Sequence, residues 1–362
     1  MATIRCTSCS APYPETGAPY RCPACGGIYD FDGPPEVDPR GVDHAHSGIW
    51  RYRHSFGLPA HAPDISLGEG NTPLISVNYQ NHPVWLKLES LNPTGSYKDR
   101  GSAVLLSQLA ARGVRQAVED SSGNAGASFA AYAARAGVQA RVFVPQSASG
   151  PKRSQIEAYG AELVAIPGPR SAAAAAVLED VRAGAVYASH AFLPFGLPGI
   201  ATIAYELLDQ LEYEGETPGT LVMPVGHGGL MLGVMRGFAG WPGAAQPYYV
   251  GVQARECPPV WIGYTRGIQA MDLAPEGQTV AEGVRVRRPA RAEAILKDLS
   301  PQQGEIVAVE EGDILPAYRE LACQGVHVEP TSALAWAALK QIIGKVPEPI
   351  VLILSGAGLK YS

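Results

Sequence analysis

Leu91-Asn92-Pro93-Thr94-Gly95-Ser96-Tyr97-Lys98-Asp99-Arg100-Gly101 is the stretch on which the reading of this chain turns. The Asn-Pro pair and Gly95 punctuate a turn, and the apolar run Ala103-Val104-Leu105-Leu106 that follows continues as a helix. Ser96 is the expected N-cap, with Asp99 three residues on in capping-box register. Lys98 then falls in the first helical turn, where a cation opposes the helix macrodipole and the ammonium form is disfavoured. A lysine held away from that form is a better amine nucleophile, the property a Schiff-base lysine needs. A solvated surface lysine balanced by Asp99 is the competing reading of the same residues.

Outward from this turn, short apolar segments alternate with helical ones. Strands are expected at residues 84–88, 117–119, 141–144, 162–166, 186–188, 221–225, 248–252, 305–309 and 350–354. Alanine-rich helices are expected at 124–136, 171–183 and 331–343, with the alanine tract 172–176 as a helix interior. Such alternation builds an α/β fold of mostly parallel sheets covered by helices on both faces. Ligands of these folds bind beyond the carboxyl ends of the strands, so the loops there carry the functional signal.

Three such loops suit one anionic, heteroaromatic ligand. Ser121-Ser122-Gly123-Asn124-Ala125-Gly126 opens a helix, offers backbone N–H groups to a carboxylate, and places an Asn124 amide that can donate to a phenolate oxygen. Gly226-His227-Gly228-Gly229-Leu230 lets the backbone close on a phosphate with a helix start behind it, Met231 to Met235. It lacks the Gly-Lys-Ser/Thr of a P-loop and the third glycine of a dinucleotide fingerprint. Ser355-Gly356-Ala357-Gly358-Leu359 follows the last strand, where a serine hydroxyl can meet a pyridine nitrogen as a neutral partner. Taken singly, each is also readable as an ordinary turn with a capping residue.

At 362 residues the chain exceeds one typical domain. An apolar fraction of 46% with 17% charged residues describes a compact, enzyme-like chain. A net charge of −6 argues against nucleic acid as the main partner. Residues 1 to 5 run into Cys6 without the apolar core of a secretory signal, and no apolar run approaches 18 residues, so a cytoplasmic protein with no membrane partner is expected. Of six cysteines, Cys6-x-x-Cys9 and Cys22-x-x-Cys25 form two knuckles twelve residues apart, the pattern of a four-thiolate structural zinc ribbon; a redox dithiol is the rival. Cys257 and Cys323 read as core residues. Residues 31–63, rich in Pro, Gly, His and Asp, read as a linker that wraps rather than packs, and the spacing of His44, His46, His54 and His61 fits no standard metal site.

The lysine stretch, the Ser122-Gly123-Asn124 loop, the Gly-Glu-Gly-Asn-Thr-Pro-Leu loop at 68–74, the glycine loop at 226–229 and the Ser-Gly-Ala-Gly-Leu-Lys segment at 355–360 occur here in the order found in threonine synthase and its relatives. Over nearly its whole length the chain resembles this group, the fold-type II pyridoxal 5′-phosphate (PLP) enzymes of the tryptophan synthase beta superfamily. The resemblance implies a two-domain fold: a zinc-ribbon-like knuckle at 1–34, a linker at 35–62, a large PLP-binding domain from 63–97 and 200–362, and a small domain at 98–199. It implies that Lys98 forms the Schiff base, that Asn124 meets the cofactor 3′-oxygen, that Gly226, His227, Gly228, Gly229 and Leu230 hold its phosphate, and that Ser355 faces the pyridine nitrogen. Ser122, Gly123, Asn124 and Ala125 would take the carboxylate of a small amino-acid substrate, and a homodimer is a further implication. A neutral serine opposite the ring nitrogen weakens the electron sink, which favours elimination and replacement over transamination.

One stretch departs from the pattern. Threonine synthases carry an Asn-Pro-Tyr-Arg-like segment followed by Glu-Gly-Gln-Lys-Thr that helps hold the substrate phosphate. Here Leu193, Gly196 and Ala201 stand at the Asn, Arg and Lys places, and Ala125 stands where threonine is usual. A dianion deprived of an Arg fork is poorly held. The expected function is therefore a threonine synthase-type PLP-dependent carbon–oxygen lyase whose substrate differs from O-phosphohomoserine, unless His190, His227 or Lys152 replaces the lost donors. Alternatives are a serine/threonine dehydratase-like enzyme, a β-replacement (cysteine or cysteate synthase-like) enzyme, and a non-catalytic PLP-fold binding protein. Leu193, Phe195 and Leu197 either line an apolar side-chain pocket or pack in the core.

Overall fold

A computed structural model describes residues 3–146 and 150–361. They fall into two compact units: one built from the described residues of 3–70 and 92–200, the other from 71–91 and 201–361.

In the first unit, β1 (Ile4–Cys6) and β2 (Tyr29–Phe31) pair antiparallel at the cysteine knuckle. The body is a four-stranded parallel sheet in the order β7-β6-β5-β8, from β5 (Gln116–Glu119), β6 (Gln139–Pro145), β7 (Glu162–Ile166) and β8 (Val186–Tyr187). Its helices are α1 (Lys98–Ala111), α2 (Asn124–Ala136), α3 (Pro151–Ala158) and α4 (Arg170–Arg182). α2 ends as its sequence dictates, on Gly137 in the left-handed region at φ +67°. Residues 31–63, expected to wrap, instead pack: Ile49, Trp50, Tyr52 and Phe56 are buried. The reason lies in Glu69, whose carboxylate accepts from Trp50 Nε1, from Tyr132 Oη (both 2.7 Å) and from the Leu67 amide, anchoring the segment to α2. Each buried aromatic there contributes about 1.5–3 kcal/mol, more than a wrapping linker supplies.

The second unit holds a six-stranded sheet in the order β11-β10-β9-β12-β4-β3. Its strands are β3 (Leu74–Tyr79), β4 (His82–Lys87), β9 (Thr220–Pro224), β10 (Tyr248–Ala254), β11 (Gly304–Val309) and β12 (Ile350–Ile353). All neighbours are parallel except β3, which the Gln80-Asn81 turn returns antiparallel along β4, with both turn residues at positive φ. The helices are α5 (Leu197–Tyr213), α6 (Gly229–Gly240), α7 (Pro259–Arg266), α8 (Ala292–Asp298), α9 (Glu311–Cys323) and α10 (Pro330–Ile342). Val222, Val250, Val252 and Leu352 pack with Trp336 of α10 in one core.

Inside that unit Lys87 is fully buried. Its ammonium donates to Glu206 Oε2 and the Thr72 carbonyl, both at 2.7 Å, and to Gln210 Oε1 at 2.8 Å, while the Asn71 amide donates to the other Glu206 oxygen at 2.8 Å. Three acceptors satisfy the three protons of a lysine that would otherwise be prohibitively costly to bury. Cys257 is buried as expected, but Cys323 is exposed: it is the last residue of α9. Among the described residues no helix is long and apolar enough to cross a membrane.

Candidate active site

Lys98 is the first residue of α1. The helix start is secured differently from the expected capping box. Tyr97 occupies the N-cap position with helical dihedrals, and Ser96 is buried with its hydroxyl unpartnered. Asp99 does the capping backwards, its carboxylate accepting from both the Thr94 amide and the Thr94 hydroxyl at 2.6 Å. The Asp–Thr spacing is present in the sequence, but the intervening Gly95, at φ +84°, turns the chain so that Thr94 rather than Ser96 meets it. Asn92 closes the turn from the other side, its Oδ1 accepting from the Gly70 amide at 3.0 Å. Lys98 itself is partly exposed, with Nζ 4.6 Å from the centre of the Tyr97 ring.

The loop after β5 opens α2 at Asn124, with Gly123 as N-cap. A Cβ at Gly126 would lie 1.8 Å from the Ser121 carbonyl oxygen, so glycine lets the first turn of α2 fold against its own loop. α1 and α2 pack side by side, joined by the Ser128 to Ser102 hydroxyl bond at 2.7 Å. Ser122, Gly123 and Asn124 are partly exposed above this pair, and Ala125 is buried. Leading N–H groups of a helix have no intrahelical partner, and here they meet residues able to add hydroxyl and amide donors. Upstream, the buried Glu119 ends β5, with His190 Nδ1 3.3 Å from its carboxylate. Lys152 belongs to the first turn of α3.

Leu193, Phe195 and Leu197 are buried within the first unit. The Phe195 ring packs edge-on against Tyr13 of the knuckle at 5.0 Å, and the Arg112 guanidinium lies 5.2 Å from its centre, so core packing claims this side chain.

In the second unit the glycine loop and Ser355 follow β9 and β12, which are adjacent and parallel, so both stand at the same end of the sheet. A Cβ at Gly226 would meet the Gly283 carbonyl oxygen at 2.5 Å; Gly228 adopts φ +96°, open to glycine and strained for other residues. The His227 carbonyl accepts from the Arg291 amide at 3.0 Å and its ring Nδ1 from the Ala290 amide at 3.5 Å, so the histidine braces the loop. α6 begins at Gly229 and directs its leading N–H groups and positive dipole end into the loop, with no carboxylate in residues 226–230: an anion such as phosphate fits. Ser355 is buried, its hydroxyl 3.1 Å from that of Ser332, which also accepts from the Gly356 amide at 2.8 Å. A positioned, neutral hydroxyl suits a pyridine nitrogen.

The four knuckle sulfurs all lie within 4.8 Å of one another, with Cys6 to Cys25 at 3.4 Å and Cys9 to Cys22 at 3.7 Å. A zinc tetrahedron with arms of about 2.3 Å has edges of about 3.8 Å, so this set fits the ion. Burial opposes ionisation of Cys22, but the amides of Ala24 and Cys25 prevail and bring its thiol down to about 6; Gly27 favours the Cys25 thiolate, yet the neighbouring Cys9 and Cys6 sulfurs push that thiol up to about 12.

Residues 65–356 match the family model described as pyridoxal-phosphate dependent enzyme. The chain is 31% identical over 379 residues to the threonine synthase of Methanocaldococcus jannaschii, covering 98% of this chain and 92% of that protein. It is 34% identical over 327 residues to the threonine synthase of Synechocystis, covering 86% and 82%. Among solved structures, a threonine deaminase from T.th. superposes with a TM-score of 0.66 at 29% identity, covering 80% of this chain and 93% of that one. Maize serine racemase shares the fold, with a TM-score of 0.69 at 22% identity over 79% and 88%. The chain belongs to the pyridoxal-phosphate dependent enzymes, as a threonine synthase-like lyase of the fold-type II architecture.

Proposed function

We propose that this enzyme cleaves a carbon–oxygen bond in the side chain of a small amino acid, by elimination with or without replacement, and that its substrate is not O-phosphohomoserine. The observation that carries the reading is Lys98 at the first position of α1, its turn fixed by the Asp99–Thr94 bonds, in a chain nearly a third identical to threonine synthases. Bound pyridoxal phosphate supplies an electron sink for negative charge at the substrate α-carbon. Lys98 Nζ would hold the cofactor and take up and return the α-proton. Asn124 donates to the cofactor's phenolate oxygen, the amides from Gly226 through His227, Gly228 and Gly229 to Leu230 hold its phosphate, and Ser355 partners its ring nitrogen without protonating it. Ser122, Gly123, Asn124 and Ala125 bind the substrate carboxylate. The four cysteines hold a structural zinc ion.

The altered substrate is supported by the buried Leu193 and Ala201 and by Gly196, which leave no cation at the three places where threonine synthases are expected to grip phosphate. The purified enzyme, loaded with cofactor, is assayed on serine, threonine, homoserine and their O-acetyl and O-phospho derivatives. Turnover of an unphosphorylated substrate, lost in Lys98→Ala together with the cofactor's near-visible band, is the expected result. Robust conversion of O-phosphohomoserine to threonine and phosphate would refute the changed substrate.

A further inference from the structure

The carboxyl end of the four-stranded sheet carries a cluster of ionisable groups to which nothing above gives a role. Glu119, the last residue of β5, is only 1% exposed. One carboxylate oxygen has His190 Nδ1 at 3.3 Å, and the other, also buried, meets no hydrogen-bond partner among the described residues. Asp120 follows directly and accepts from the Tyr187 hydroxyl of β8 at 2.7 Å. Among the described residues, Lys98 of α1 and Arg170 of α4 are cations whose fields reach Glu119. Burial, reinforced by Asp120, drives the Glu119 carboxyl well above the usual range, and Lys98 and Arg170 only partly oppose this. Burial first, then Glu119 and Asp120, likewise hold the Tyr187 hydroxyl protonated.

This cluster borders the loop assigned to the substrate carboxylate: Ser122 is three residues beyond Glu119, and Lys98 is within its electrostatic reach. His190 is partly exposed, so the pair has one buried and one accessible member. A phosphate dianion is bound by cationic forks and N–H donors; here the cluster itself offers two carboxyl groups and one imidazole, and Lys98 and Arg170 act on it only as fields that do not overcome the burial of Glu119. A neutral oxygen substituent instead finds a proton donor and an acceptor side by side.

We propose that Glu119 and His190 share one proton and read the substrate side chain, accepting a neutral oxygen substituent, a hydroxyl or an acyl ester, and rejecting a phosphate dianion. The assignment rests on the reading of Lys98 and the 122–125 loop given above. It identifies Glu119 and His190 as specificity-determining residues and explains a buried acid that packing alone would disfavour.

The cofactor-loaded wild type, Glu119→Gln and His190→Asn are titrated with L-serine, O-acetyl-L-serine and O-phospho-L-serine while the cofactor absorbance is followed. The wild type should bind the better of the two neutral ligands at least tenfold more tightly than O-phospho-L-serine. Glu119→Gln, which keeps the shape and removes the acid, should shrink that ratio at least fivefold, chiefly by tightening the phosphorylated ligand; His190→Asn should weaken the neutral ligands. Retention of the cofactor band in a variant reports that it has folded, and His190→Asn decides if Glu119→Gln does not fold. A ratio unchanged within twofold in the folded variants, or a wild type that prefers O-phospho-L-serine, overturns the assignment. A wild type that acquires no cofactor band at all overturns instead the Lys98 reading beneath it.

Discussion

Replacing Arg112 with methionine should loosen the cysteine knuckle from the body of the first unit without disturbing its four-cysteine cluster. From just beyond the end of α1, one guanidinium nitrogen donates to the carbonyls of Pro14, Glu15 and Gly17 at 2.8, 3.2 and 2.9 Å. The guanidinium also stacks on the Tyr13 and Phe195 rings at 5.0 and 5.2 Å. Hydrogen bonds from a charged donor contribute about 1.5–3 kcal/mol each, but here one nitrogen is shared among three acceptors, which limits the bonding gain to about 3 kcal/mol. Two partly solvated cation–π contacts add about 1 kcal/mol. Methionine keeps the apolar stem and recovers some ring contact, and half of the total is discounted because much of the group meets water, leaving about 2 kcal/mol. That is roughly a 30-fold shift in the docking equilibrium. Hydrogen exchange of the amides in residues 11–20 should accelerate by about that factor, while zinc content stays at the wild-type value. Arg112→Lys should not restore protection, because an ammonium cannot span three carbonyls and two ring faces at once. Exchange within twofold of wild type in Arg112→Met would refute the assignment of docking to this residue.

Two further substitutions test the frame around the site. Glu206→Gln removes the carboxylate charge 2.7 Å from the buried Lys87 ammonium and should cost about 3–5 kcal/mol in chemical denaturation, whereas the double replacement Lys87→Met, Glu206→Leu should recover most of it. Thr94→Val removes the hydroxyl that Asp99 accepts and should destabilise the start of α1 by about 1–2 kcal/mol. If Lys98 and the 122–125 loop act as proposed, its signature is a fall in kcat larger than the rise in KM, because the substitution displaces Lys98 rather than that loop.

The parallel sheets are legible in the sequence because their signals are local. Segments such as Ile350-Val351-Leu352-Ile353 are too short and too uniformly apolar for anything but a buried strand, and all nine expected strands are present within a residue or two. β3 is hidden because Leu74-Ile75-Ser76-Val77-Asn78-Tyr79 lies at a sheet edge, where polar side chains interrupt the run. Lys98 and the glycine loops are readable from backbone chemistry: a lysine at a helix start and glycines after strands restrict what the chain can do there. The contacts that orient them are not, since Thr94 and Ser96 both stand at a spacing that suits Asp99. Tryptophan, tyrosine and glutamate at 50, 132 and 69 are far apart in sequence and acquire meaning only when Glu69 gathers them. The Glu119–His190 pair likewise joins positions 71 residues apart, and nothing in either neighbourhood announces the other.

The place of β12 in the six-stranded sheet bears on how the polypeptide is born. Of the described strands it is the last to be synthesised, yet it lies between β9 and β4 and pairs with both. Until translation has passed Ile353, the strands of the second unit's sheet can pair only as two separate ribbons, β11-β10-β9 and the β4-β3 hairpin, each with an open edge lined by apolar side chains. The strands of the first unit's parallel sheet, by contrast, are all in hand by Tyr187. A nascent chain therefore spends the synthesis of more than 160 residues, from 188 to 353, with one sheet able to close and the other unable to. This is the interval in which a holdase that covers unpaired strands has most to protect.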